Sequence, residues 1–145
     1  MYINNISEFH EYVGETIEYC QCIENDIRWI YSAMLKGDHR KTFDELERSK
    51  STLGNVLGKL KRLDISEDPY FSEEDYDLLS QITEIRNHWV HKGYVMFVYK
   101  QGREREDAFI KQARRLENDH NRLEKLSKNI EDIRFDVLRK YKDGM

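Results

Sequence analysis

The stretch "SEEDYDLLSQITEIRNHWVHKGY", residues 72–94, decides the fold class. Leu78, Leu79, Ile82, Ile85 and Trp89 recur at helical spacings, which lines them along one side of an α-helix. Ser72 and Asp75 have the spacing of a capping box, and Pro69 just upstream stops any earlier helix from running through. The helix should end near His91 to Gly93. Its last turn collects Arg86, Asn87, His88 and His91. A single cation there is ordinary, because the last carbonyls of a helix carry partial negative charge. Two histidines, an arginine and an asparagine together ask for a chemical explanation.

Working outward, the rest of the chain reads as more helices. Phe9, Val13, Ile17, Cys20, Ile27, Ile30 and Met34 predict a first helix from about Ser7, its N-cap, to Lys36, with Gly37 as the stop. A short helix over Thr42–Arg48 turns Phe43 and Leu46 inward. "STLGNVLGKLKRLD" then buries Leu53, Val56, Leu57, Leu60 and Leu63. Gly54 and Gly58 each cost about 1 kcal/mol relative to alanine in a helix, which implies close packing there. "YVMFVYKQG", residues 94–102, is rich in β-branched and aromatic residues but too isolated for a sheet, so it reads as an extended or irregular connector. Phe109, Ala113, Leu116, Leu123, Ile130, Ile133 and Val137 form the seam of a last helix over Arg103–Lys140, long enough to meet a partner. The expected fold is a single all-α domain over residues 1–145, an up-and-down bundle of four to five helices that self-associates.

Composition agrees with this class. Charged residues make up 36% of the 145-residue chain and there is one proline, the profile of a helical protein with solvated faces. No apolar run reaches the roughly 20 residues needed to cross a bilayer. The first residues lack the basic and apolar segments of a signal peptide, so the cytoplasm is expected. Cys20 and Cys22 cannot alone supply a zinc site and are expected to be reduced, at least one of them in the core. The formal net charge of -4 argues against a general nucleic-acid coat. Even so, Arg86, Lys92, Lys100, Arg103 and Arg105 form a basic island beside the motif, while residues 64–77 are acidic.

The helix end admits three chemistries. It is a solvated, dipole-compensating terminus; or Glu84, His88 and His91, within roughly 60° on a helical wheel, hold a metal; or it works on phosphate. The metal reading lacks ligands from a second helix, and Arg86 would repel the cation. For phosphate chemistry the residue types fit: histidine moves protons near neutral pH, and arginine presents a charged fork to phosphate oxygens. Asn87 lies four residues before His91 on the same face, placed to orient it. Arg86 and His91 lie about 140° apart on an ideal helix. Either the helix distorts at His91, as Gly93 would allow, or the pair is completed by a second protomer.

"RNHWVH", residues 86–91, resembles the R-x4-H motif of the HEPN superfamily, with the polar residue after the arginine present as Asn87. The resemblance implies a small helical bundle that dimerises, bringing two motifs into one cleft. It implies a metal-independent endoribonuclease of toxin–antitoxin or phage-defence systems, leaving a 2′,3′-cyclic phosphate and a 5′-hydroxyl. Arg86 would stabilise the phosphorane, His91 would act as general base or acid, and Asn87 would position them. His88, Lys92, Tyr94, Lys100 and Arg103 would contact RNA, with Tyr94 or Tyr99 stacking on bases. No metal or other cofactor is implied, and an antitoxin or other protein is an expected partner. Members whose tyrosine is modified by a nucleotidyltransferase continue H-x-Y; here the run is His91-Lys92-Gly93-Tyr94, one residue longer, and Tyr94 is expected to be an aromatic packed on the bundle. The alternatives are a non-catalytic HEPN-like bundle that binds protein or nucleic acid, and an unrelated helical adaptor.

Overall fold

Side chains that satisfy the free backbone groups of helix ends set most of the element boundaries. A computed structural model describes residues 2–35 and 37–141, and among them there are five helices and no strand. The first, α1, spans Ile6–Met34. Asn5, not the expected Ser7, opens it: Asn5 Oδ1 accepts the Glu8 N–H at 2.9 Å, and Asn5 Nδ2 reaches back to Glu8 Oε1 at 3.0 Å. Glu8 therefore completes a reciprocal pair with Asn5, which starts the helix earlier than a cap at Ser7 would. Phe9, Val13, Cys20, Ile27 and Ile30 are buried as expected, whereas Ile17 and Met34 are only half-buried. Cys22 is exposed. Gly37 follows the helix with φ +122°, a left-handed conformation suited to glycine. The expected last helical residue, Lys36, lies outside the described residues.

Helix α2 spans His39–Ser49, with Asp38 accepting the Lys41 N–H at 3.2 Å. Leu46 is buried, and half-buried Phe43 stacks on Trp29 at 4.0 Å. Helix α3 spans Leu53–Leu63 behind the Thr52 cap. Leu53, Val56, Leu57 and Leu60 are buried, but Leu63 is 36% exposed, because the stripe ends with the preceding turn. The close approach expected at Gly54 and Gly58 does not occur. Both face solvent, and a Cβ at Gly58 would meet nothing within 4 Å. They lie about 100° round the helix from Leu53 and Leu57, off the apolar stripe.

The acidic break is not wholly solvated. Asp64, 9% exposed, accepts the N–H groups of Tyr70 and Phe71 at 2.8 and 3.1 Å and the Tyr76 hydroxyl at 2.7 Å. That one carboxylate folds residues 64–71 back onto the start of α4, Glu73–His91. The expected capping box is present: Asp75 N–H donates to Ser72 Oγ at 3.1 Å and Ser72 N–H to Asp75 Oδ2 at 3.4 Å. Residues 92–99 then form consecutive turns, with Val98 N–H on the Tyr94 carbonyl at 2.9 Å, so the connector is irregular but not extended. Its apolar residues do not lie along a strand; Phe97 turns inward and is 1% exposed. Helix α5 follows over Gly102–Lys140, and its expected seam is buried except for Phe109, which is half-buried. Among the described residues, no helix is long and apolar enough to cross a membrane.

The described residues fall into two compact units. One takes those of Met1–Gln21 and Ile82–Lys125, the other those of Cys22–Gln81 and Leu126–Met145. In the first, Phe9 is the hub: its ring lies 5.3 Å from those of Tyr94 and Phe97, 5.5 Å from Phe109 and 6.0 Å from Trp89. In the second, Ile23, Ile27, Ile30, Leu60, Leu79, Ile130 and Val137 are fully buried, and Arg134 pairs with Asp26 at 3.5 Å. The quoted motif belongs to the first unit.

Candidate functional site at the end of the fourth helix

Trp89 fixes the end of α4. It is 1% exposed, and its indole N–H donates to Asp119 Oδ2 at 2.9 Å. Asp119 is itself 5% exposed and is held by Arg122 at 3.0 Å. A buried carboxylate with two donors is a satisfied one, so the contact pins α4 to α5 at a defined register. The next step along α5 repeats the pattern. Gln112 and Arg115 lie on the same helical face as Asp119. His88 Nε2 donates to Gln112 Oε1 at 2.9 Å, and the Arg115 guanidinium lies 5.9 Å from the Trp89 ring. The His88 ring meets Trp89 edge-on at 4.6 Å. One face of α5 thus addresses consecutive residues of α4.

Gly93 completes this fit. Its N–H and that of Lys92 both donate to the His88 carbonyl, each at 2.8 Å. The φ of Gly93 is not positive, so left-handed backbone is not what requires glycine here. Space does: a Cβ at Gly93 would lie 2.6 Å from Trp89 Cε3. The Gly93→Ala variant is therefore expected to lose about 1–3 kcal/mol, the usual range for overpacking against a fixed ring. Urea unfolding of Gly93→Ala, alone and with Trp89→Leu, checks this, since the penalty should shrink once the indole is gone. An unchanged penalty in the double variant would refute the steric account.

Beside the pinned tryptophan lies a cleft of about 480 Å³, lined by Glu84, Asn87, His88, His91, Lys92 and Arg115. Glu84, Asn87, His88 and His91 share it because they fall at i, i+3, i+4 and i+7 on α4. Two fixed cations, Lys92 and Arg115, face one carboxylate, Glu84, and two imidazoles and an amide complete the wall. That set suits an anion: Lys92 and Arg115 carry two positive charges against the one negative charge of Glu84 and the partial negative charge of the helix end. Among the described residues, no three or more His, Cys, Asp or Glu side chains are grouped to hold a metal ion.

The sequence-expected site residues are only partly gathered here. Asn87, His88, His91 and Lys92 line the cleft; Arg86 does not. The helix stays regular through His91, so the distortion that would swing Arg86 and His91 together is not present. Tyr94 is half-buried, edge-on to Phe9 at 5.3 Å, with its hydroxyl 2.7 Å from His10 Nδ1. Burial pushes its phenol pKa up. The packed aromatic is therefore what the structure places at Tyr94, while Tyr99, 82% exposed, is the ring open to solvent. Lys100 pairs with Glu104 at 3.8 Å and lines a separate hollow that also holds Asp107. Arg103 is exposed on the first turn of α5 and lines neither hollow. The basic island is thus divided, with Lys92 alone of its cations in the histidine cleft.

Sequence reasoning missed Arg115, the α5 wall of the cleft, and the buried polar residues of α5. Gln112, Glu117, Asp119 and His120 are all at most 6% exposed. Glu117 accepts the Ile3 N–H and an Arg114 N–H, and His120 donates to Glu15 at 2.6 Å beneath the Tyr12 ring at 4.4 Å. The available signal was the run of polar residues stepping by three and four beside Ala113, Leu116 and Leu123. Compared with known proteins, this chain is matched by no family model, no curated protein and no solved structure.

Proposed function

We propose that this chain is a metal-independent endoribonuclease of HEPN type, acting in the cytoplasm as a toxin or phage-defence effector. The observation that carries the reading is one anion-suited cleft that holds Asn87 and His91 together with His88 and Lys92. His91 takes the proton of a 2′-hydroxyl, O2′ attacks the adjacent phosphorus, and the P–O5′ bond breaks as O5′ acquires a proton. The products are a 2′,3′-cyclic phosphate and a 5′-hydroxyl. Asn87, one turn before His91, orients the imidazole or a phosphate oxygen. Because α4 is regular through His91, Arg86 reaches the phosphorane from a second copy of the chain, in a dimer that shares a composite cleft.

A binding role is the second reading, and the turn at residues 92–99 favours it. Val95, Met96, Val98 and Tyr99 are exposed there together, an apolar surface of the sort that docks a protein partner or antitoxin. Cleavage of end-labelled RNA in EDTA separates the two. The wild type is expected to leave cyclic-phosphate ends, and His91→Ala to cut at least about 100-fold more slowly, the scale of general acid–base catalysis. A folded wild type with no activity on total cellular RNA, or His91→Ala and Arg86→Ala variants as active as wild type, would overturn the nuclease reading.

A further inference from the structure

The motif arginine is not one of the walls of the cleft. Arg115 is. We infer that Arg115 of α5 is a substrate-binding residue that holds a phosphate group of a single-stranded nucleic acid against His91 and Asn87. The inference takes its choice of ligand from the nuclease reading above.

Three observations converge on Arg115. It shares the cleft wall with Asn87, His88, His91 and Lys92, so its charge meets the same volume as the imidazoles. Its guanidinium lies 5.9 Å from the ring of Trp89, which is anchored by Asp119; a cation–π contact with a fixed ring favours one placement of a long side chain before any ligand arrives. It stands one turn from Gln112, which holds His88, so the residue that orients one imidazole and the residue that meets the anion come from one rigid face. A planar fork reads two phosphate oxygens at once, whereas Lys92 supplies only a point charge. The ligand that this set selects carries a phosphodiester.

The test uses a single-stranded 2′-deoxy oligonucleotide, which presents phosphodiesters but has no 2′-hydroxyl to cleave. Binding is followed by fluorescence anisotropy across a salt series and by the imidazole signals of His88 and His91. Arg115→Met keeps an aliphatic stem over Trp89 and removes the charge. It is expected to bind about tenfold more weakly, the loss of one charge-assisted contact. Its salt slope should fall by about 0.7, one phosphate contact on a single strand. Arg115→Lys should restore the slope but not the full affinity, since it keeps the charge without the fork. In wild type the oligonucleotide should shift both imidazole signals, and in Arg115→Met it should not. Wild-type affinity and slope in Arg115→Met, or no imidazole shift in wild type, would overturn the inference. RNA cleavage is scored separately: binding through Arg115 without cleavage leaves this inference standing and removes the nuclease reading.

Discussion

The Trp89→Ala variant is expected to lose about 3–5 kcal/mol of stability, the range for removing a large buried aromatic. The ring is 1% exposed and meets Phe9 edge-on at 6.0 Å, so truncation opens a cavity beside the aromatic hub. It also removes the indole donor from Asp119, whose carboxylate is 5% exposed and keeps only Arg122 among the contacts described above. An under-satisfied buried carboxylate adds to the cavity cost. Trp89→Phe separates the two contributions: it refills most of the volume but cannot donate to Asp119. Urea denaturation at constant slope measures both variants. A loss under about 1 kcal/mol for Trp89→Ala would show that the indole does not fasten α4 to α5. The cleft should suffer in parallel, because the ring contacts both His88 and Arg115.

The second large effect lies in the other unit, at Asp64. Replacing it with alanine leaves the N–H groups of Tyr70 and Phe71 and the Tyr76 hydroxyl without their shared acceptor. Hydrogen bonds to a charged group contribute about 1.5–3 kcal/mol each and are not additive, so a total loss of about 3 kcal/mol is expected. The Tyr76 phenol reports the same contact. Burial first, and then the Asp64 carboxylate, push its pKa far above the ordinary tyrosine value. Asp64→Ala should therefore bring the Tyr76 ionisation down toward the ordinary range, read by ultraviolet absorbance in alkaline titration. Stability within about 0.5 kcal/mol of wild type would mean that residues 64–71 do not depend on this carboxylate.

The helices were legible because their signals are local. Ser72 with Asp75, and Pro69 before them, mark the start of α4 within four residues, and the structure closes that capping box. Asn5 was overlooked because Ser7 offers the same chemistry two residues later; only the pairing with Glu8 decides between them. The glycines of α3 misled for a related reason. A helical glycine has an identifiable cost but no direction, and whether it faces a neighbour or water is a tertiary fact. Asp64 was read only as part of the acidic stretch 64–77, since nothing in the sequence distinguishes a carboxylate that folds a loop from one that faces water.

The candidate site was half legible. Arg86, Asn87, His88 and His91 announce themselves because a histidine pair at a helix end is uncommon. Gln112, Arg115 and Asp119 do not, because in a chain with 36% charged residues three more polar positions on a long helix look like an ordinary wet face. Their role depends on which face of α5 meets α4, and the indole of Trp89 decides that through Asp119. Gly93 shows the same dependence: the sequence offered it as a helix end that would allow a distortion at His91, and the indole beside it makes it a clearance.

The turn-rich connector between α4 and α5 also bears on when the site forms as the chain folds. The His88–Gln112 contact spans 24 residues, while the His120–Glu15 contact that ties α5 to α1 spans 105. The longer span is about two doublings of loop length, roughly 1.2 kcal/mol more closure entropy. Both walls of the cleft thus belong to a single helical hairpin with short-range contacts, the kind that forms early and fast. On this ground the contacts of the hairpin are expected to form before those that tie α5 to α1.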